Sequence, residues 1–315
     1  MNDLKRGVLV RHASLGVGKV VATEPGAVHV FFAAGGKRVA TKLRLAFAGP
    51  LLTAVGAEGN AWLAGLPSFV HDSKSGRYGL AGNWLSHEEA LAHFLEAFPK
   101  GFADPAYCGV GALRRERASR WRRAHEAFVE AFGHGEAERL LAVGDVVELA
   151  TRALRVERHV RTMQKHCEKE ALERALQDAV AGRLFFAALF DFLAAPAPEA
   201  PRFEALAVAV ALLPGGASEA GWPLVTLFPF IAQPDRHMLL RPSFTCEAAQ
   251  RLGLDLRYES EPNWATYAAL LRSSEHLLEE LRPMGARDLI DVESFLHVAT
   301  AKPGERRSST QRLVT

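Results

Sequence analysis

The 315-residue sequence predicts an α+β protein: a small N-terminal β-barrel followed by a mostly α-helical body. Two patterns carry that expectation. Within residues 6–47, β-branched and aromatic residues recur with a period of two in short runs broken by glycine turns. From Ser86 onward the apolar residues recur at helical spacing behind recognisable caps. Composition agrees: 49% hydrophobic and 23% charged residues are globular values, which exclude wholesale disorder. The length provides for a core without disulfides or metals.

The strand runs come first. Val8 and Val10 alternate with Leu9 and Arg11, and Val28, Val30 and Phe32 alternate with His29 and Phe31. Gly16 and Gly18, Pro25-Gly26 and Gly35-Gly36 separate the runs. Four or five strands in some 40 residues suit a small curled sheet that closes its own edges. Residues 51–85, where glycine and tryptophan recur without a period, read as a linker and irregular segment, with room for short strands.

Ser86-His87-Glu88-Glu89 has the form of a capping box opening a helix that ends before Pro99. Further helices are expected over Leu113–Phe132, Glu136–Ala142, Val146–Arg155, His166–Ala181 and Phe185–Leu193. The prolines of Ala194–Pro201 mark a joint between a helical domain, 86–195, and a helical C-terminal domain, 196–301. In the latter, Arg202–Leu213, Ser243–Leu252, Asn263–Leu281 and Ala286–Val298 read as helices. Leu224–Ile231, hemmed by Pro223, Pro229 and Pro234, reads as a strand or buried turn. Residues 302–315 read as a polar tail.

Gly7-Val8-Leu9-Val10-Arg11-His12, then Leu15-Gly16-Val17-Gly18-Lys19-Val20, then the Val28–Phe32 strand and Gly35-Gly36-Lys37-Arg38 occur in an order that resembles a known module. The first 45 or so residues resemble the SH3-like or Tudor-like modules of bacterial UvrD-type helicases, CarD and the transcription-repair coupling factor. The resemblance implies an SH3-like barrel over 1–50 and a setting in DNA repair or transcription. It also implies a helicase or RNA polymerase partner, or contact with nucleic acid.

Charge points the same way. The net charge of +2 conceals a front end, residues 1–50, at +6 and a middle, residues 111–183, at +3. A barrel this small cannot hide its cations, so Arg11, Lys19, Lys37, Arg38, Lys42 and Arg44 are candidate phosphate contacts. In the stretch Leu113–His125, Arg114, Arg115 and Arg122 are candidates, with Trp121 as either a stacking surface or a core residue. A second series, Arg152, Arg155, Arg158, Arg161 and Lys165, adds Arg155 and Arg158. Together these elements would make one polyanion track if they share a side.

Catalytic signatures are missing. No P-loop, G-x-S-x-G elbow or H-E-x-x-H occurs, so no catalytic residue, metal ligand or cofactor is assigned. Asp288, Asp291 and Glu293 could hold magnesium, but suit the first turn of a helix. Arg287 is placed to pair with Asp291. Three scattered cysteines and no apolar leader point to a cytoplasmic protein with no membrane role. The reading is a non-catalytic nucleic-acid-binding protein, with DNA ahead of RNA. The alternatives are an adaptor docking on a helicase or RNA polymerase, and a metal-dependent nuclease.

Overall fold

The computed structural model describes residues 4–32, 39–56, 63–64, 66, 69–73, 76–80, 85–108, 117–160, 173, 176, 178–214, 221–254 and 256–301. The chain forms two compact units, Met1–His93 with Glu247–Asp255, and Phe94–Cys246 with Leu256–Thr315.

In the first unit, β1 (Leu9–His12), β2 (Gly16–Glu24), β3 (Ala27–Phe32), β4 (Thr41–Arg44) and β5 (Leu52–Val55) form one antiparallel sheet of order β4-β3-β2-β1-β5. The register sets Leu9 opposite Lys19 and Val10 opposite Gly18, while β5 returns to β1 with Leu9 opposite Val55. The sheet therefore extends past residue 50. The two-residue period sorts its side chains. Val10, Val20, Val28, Val30, Phe32 and Leu52 pack on one side, and Leu9, Val21 and Phe31 on the other. Gly18 is required by close approach: a Cβ there would lie 2.6 Å from Val30 Cγ1 and 2.7 Å from Phe32 Cδ1. At the β2–β3 turn, Gly26 adopts φ +78, which favours glycine.

All six residues of β3 are buried. The reason is a second layer. Leu63 and Leu66 pack on Leu9, Val21 and Phe31, with Phe69 and Tyr78 beside them. Phe69 and Tyr78 come from a hairpin, β6 (Phe69–Asp72) and β7 (Arg77–Leu80). Ring centroids lie 5.2 Å apart for Phe31–Phe69 and 4.8 Å for His29–Tyr78. The segment expected to be a linker thus carries a cover for the sheet. Its apolar residues are too irregularly spaced to announce that role.

The capping box forms in both directions. The Ser86 amide donates to Glu89 Oε2 at 2.8 Å, and the Glu89 amide donates to Ser86 Oγ at 3.0 Å. Between β4 and β5 lies a one-turn helix, α1 (Leu45–Ala48), and the capped helix is α2 (His87–Ala97).

The second unit is helical among its described residues. After the short α3 (Pro105–Cys108), α4 (Arg117–Phe132) turns Trp121, Phe128 and Phe132 into the core; residues 113–116 of the expected helix lie outside the described residues. α5 (Glu136–Val143) stops at left-handed Gly144. α6 (Val146–Val160) runs five residues past its expected end, because Val156 and Val160 continue the buried face. α7 (Ala179–Ala194) starts at Asp178, whose carboxylate accepts from the amides of Val180 and Ala181. Most of the helix expected over 166–181 falls outside the described residues. The remaining helices are α8 (Ala200–Ala211), α9 (Gly221–Ala232), α10 (Pro242–Leu252), whose residues from Glu247 on belong to the first unit, α11 (Trp264–Leu281) and α12 (Leu289–Ala299).

α9 corrects the expected strand or turn. Pro229 sits inside it at a typical cost of about 3 kcal/mol. Against that, Leu224, Val225, Leu227, Phe228, Phe230 and Ile231 are buried. At about 1.5–3 kcal/mol for each side chain, burial outweighs the proline several-fold. Thr226 secures the turn, donating to Trp222 O at 2.8 Å and accepting from the Leu240 amide at 3.0 Å.

Candidate nucleic-acid interface

Register places four of the predicted cations on one side of the first sheet. Lys19 stands opposite Leu9 and Phe31, and Arg11 follows Leu9 by two residues. Lys42 stands opposite His29, and Arg44 opposite Ala27. All four share the side bearing the second layer, with Lys42 and Arg44 on edge strand β4.

Their surroundings differ. Lys19 is half-buried and donates from Nζ to Ala64 O at 2.7 Å and Leu66 O at 3.0 Å, tying the cover to β2. Lys42 is exposed but contacts Glu24 Oε2 at 2.6 Å. Glu24 Oε1 also lies 2.7 Å from Nε2 of buried His29. Lys42, and then His29, hold the Glu24 carboxyl below its ordinary pKa. Arg11 and Arg44 are exposed, with no carboxylate partner among the described residues. Lys37 and Arg38 lie outside the described residues.

In the second unit, α6 splits the predicted arginine series. Arg152 donates from Nε to Glu148 Oε1 at 2.8 Å and from Nη1 to Ala131 O at 2.6 Å. Glu148 holds its pKa up, with help from Glu136. Arg155 and Arg158 project from the solvent face with no carboxylate partner among the described residues. Arg161 and Lys165 lie outside the described residues, as do Arg114 and Arg115.

Arg122 is ion-paired within the chain. Its Nη1 donates to Asp288 Oδ2 at 2.7 Å, and its Nη2 donates to Asp291 Oδ1 at 2.8 Å. Asp291 is fully buried; it also accepts from the Tyr107 hydroxyl at 2.6 Å and from the Arg287 amide at 2.8 Å. Burial alone would lower the Arg122 pKa, but Asp288 and Asp291 together raise it. Burial, and then Asp291, push the Tyr107 hydroxyl well up. A guanidinium bound to two internal carboxylates is not offered to a phosphate. Lys19 leaves the predicted set for the same reason, since its ammonium serves two backbone carbonyls.

Trp121 takes the core role: its indole is buried, and Nε1 donates to Glu293 Oε2 at 3.2 Å. Arg241 Nη2 donates to the other Glu293 oxygen at 2.7 Å. The carboxylates weighed for magnesium are therefore ion-paired with arginine. No group of three or more His, Cys, Asp or Glu able to hold a metal ion occurs among the described residues.

No family model, curated protein or solved structure matches this chain. Residue-level geometry is thus what bears on function. Beyond the predicted set it adds exposed Arg6 and Arg120, also without a carboxylate partner among the described residues. It adds Phe47 too, 75% exposed on α1. The sequence signal for Phe47 is faint: an aromatic three residues after Arg44 and just before Gly49-Pro50.

Proposed function

We propose that the chain is a non-catalytic nucleic-acid-binding protein that contacts the phosphate backbone through Arg11, Arg44, Arg155 and Arg158. One observation carries this reading: these four guanidinium groups are exposed and lack a carboxylate partner among the described residues, whereas Lys19, Lys42, Arg122 and Arg152 are engaged internally. Unpaired arginines release phosphate counterions on binding without first breaking an ion pair. The strand order, with β5 closing back onto β1, supports an SH3-like barrel for the first sheet. That would suit a DNA repair, transcription or defence setting in the cytoplasm, with DNA as the polyanion. No helix among the described residues is long and apolar enough to cross a membrane.

The test is fluorescence anisotropy with a labelled duplex over a salt series. Each unit supplies two phosphate contacts, and two contacts give a slope of log affinity against log salt of about −1.8 and a loss of about 12-fold between about 50 and 200 mM salt. Absence of binding at the low-salt end would remove the reading and leave an adaptor for a helicase or RNA polymerase in its place.

A further inference from the structure

The link between β4 and β5 has an inverted pattern of exposure. Of the four residues of α1, small Ala48 is the buried one, while Phe47 is 75% exposed. Among the described residues, Phe47 is the most exposed large apolar side chain. Ala46, Pro50 and Leu51 are exposed along the same link. A scattered exposed leucine is ordinary on a protein surface, but a run of apolar side chains headed by an aromatic is not.

An arginine lies at one end of this strip and another on the strand beside its other end. It begins at Arg44, the residue preceding α1, and finishes at β5. There Leu52 stands opposite His12, and Thr53 opposite Arg11. The link thus runs from Arg44 to β5, the strand paired with the one that holds Arg11, and neither arginine has a carboxylate partner among the described residues.

An exposed aromatic on a link that starts at one arginine and ends on the strand beside another matches a strand whose bases are unstacked and whose phosphates follow at short intervals. In a duplex the base faces are covered by their neighbours, so an exposed ring gains little from it. In a single strand every base offers a π-face. We infer that the β4–β5 link is a single-strand nucleic-acid contact, with a base stacked on Phe47 and flanking phosphates on Arg44 and Arg11. This rests on the nucleic-acid reading above and adds strandedness to it.

The experiment uses the full chain and fluorescein-labelled oligo(dT), oligo(U) and a duplex of equal length, at about 50 and 200 mM salt. Phe47→Ala is expected to weaken single-strand binding about 5- to 150-fold, the range for loss of one base–aromatic stack. It should leave the duplex affinity and the salt slope unchanged. Phe47→Trp should keep or tighten single-strand binding. Arg44→Gln should lower the single-strand salt slope by about 0.7. Because Phe47 is exposed, unaltered thermal unfolding of both Phe47 variants is expected to accompany these results.

Wild-type binding with no effect of Phe47→Ala overturns the inference and leaves the broader reading standing. No binding of any probe overturns both. Self-association of the wild-type chain that Phe47→Ala abolishes would make the strip a contact between copies, and would also overturn the inference.

Discussion

Replacing Arg122 with methionine separates structural arginine from phosphate-binding arginine. The substitution keeps much of the side-chain volume and removes the charge that Asp288 and Asp291 share at 2.7 and 2.8 Å. Taking one partner from a buried ion pair costs about 3–5 kcal/mol, because the remaining charge stays desolvated. Asp291 is 0% exposed, so it cannot recover water in place of the guanidinium. It keeps the Tyr107 hydroxyl at 2.6 Å and the Arg287 amide at 2.8 Å, and these partners bring the expected loss to the lower end, about 3 kcal/mol. For a unit of roughly 200 residues that is about 6–12 °C in Tm. Urea and thermal unfolding followed by circular dichroism read the loss, and the double variant Arg122→Met, Asp291→Asn should recover part of it. Polynucleotide binding, measured well below the transition, should keep its salt slope. A loss under about 1 kcal/mol, or a normal Tm with a shallower slope, would refute the assignment of Arg122 to the core.

Arg155→Gln combined with Arg158→Gln should do the reverse, reducing the duplex salt slope by about 1.8 and changing stability by under about 0.5 kcal/mol in the same two assays. Gly18→Ala should cost about 1–3 kcal/mol in urea unfolding, since its Cβ would lie 2.6 Å from Val30 Cγ1. Ser86→Ala removes one arm of the α2 capping box and should cost about 1 kcal/mol, read as a fall in urea midpoint. Burial, and then Arg236, bring the His237 pKa down to about 3, and its ring packs 4.8 Å from Phe192. The unfolded chain therefore binds the proton more readily. Stability should be intact above pH 6.5 and fall by up to about 1.4 kcal/mol per pH unit as pH drops from there toward 3; a midpoint that stays flat in urea titrations across that window would contradict this.

Much of the local structure was legible because its causes are local. Ser86 with Glu89, the Asn263 side chain on the Thr266 amide, and Asp288 on the Ile290 amide are short-range bonds that residue spacing announces. Trp121, open in sequence between a stacking surface and the core, is buried on α4 with Phe128 and Phe132. What escaped was set by distant partners. Pro229 looks like a breaker until the burial of its neighbours is known. Nothing near Arg122 in the chain reveals Asp288, 166 residues away, and nothing near Lys19 reveals Ala64 O. Arginines with the same local sequence character therefore fall into two groups, Arg122 and Arg152 held internally, Arg155 and Arg158 left outward. One turn of helix has no period, so no local periodicity marks Phe47.

The first unit takes its final piece, Glu247–Asp255, from about 150 residues beyond the segment ending at His93. The Leu85 amide donates to Arg251 O at 2.7 Å within it. At synthesis rates of about 5–20 residues per second, the early sheet waits some 8–30 s for that piece to be translated. During the wait, the rest of the unit has to hold without it. A nascent chain stalled before residue 247 should accordingly be cut by protease near residue 85 more readily than the finished protein.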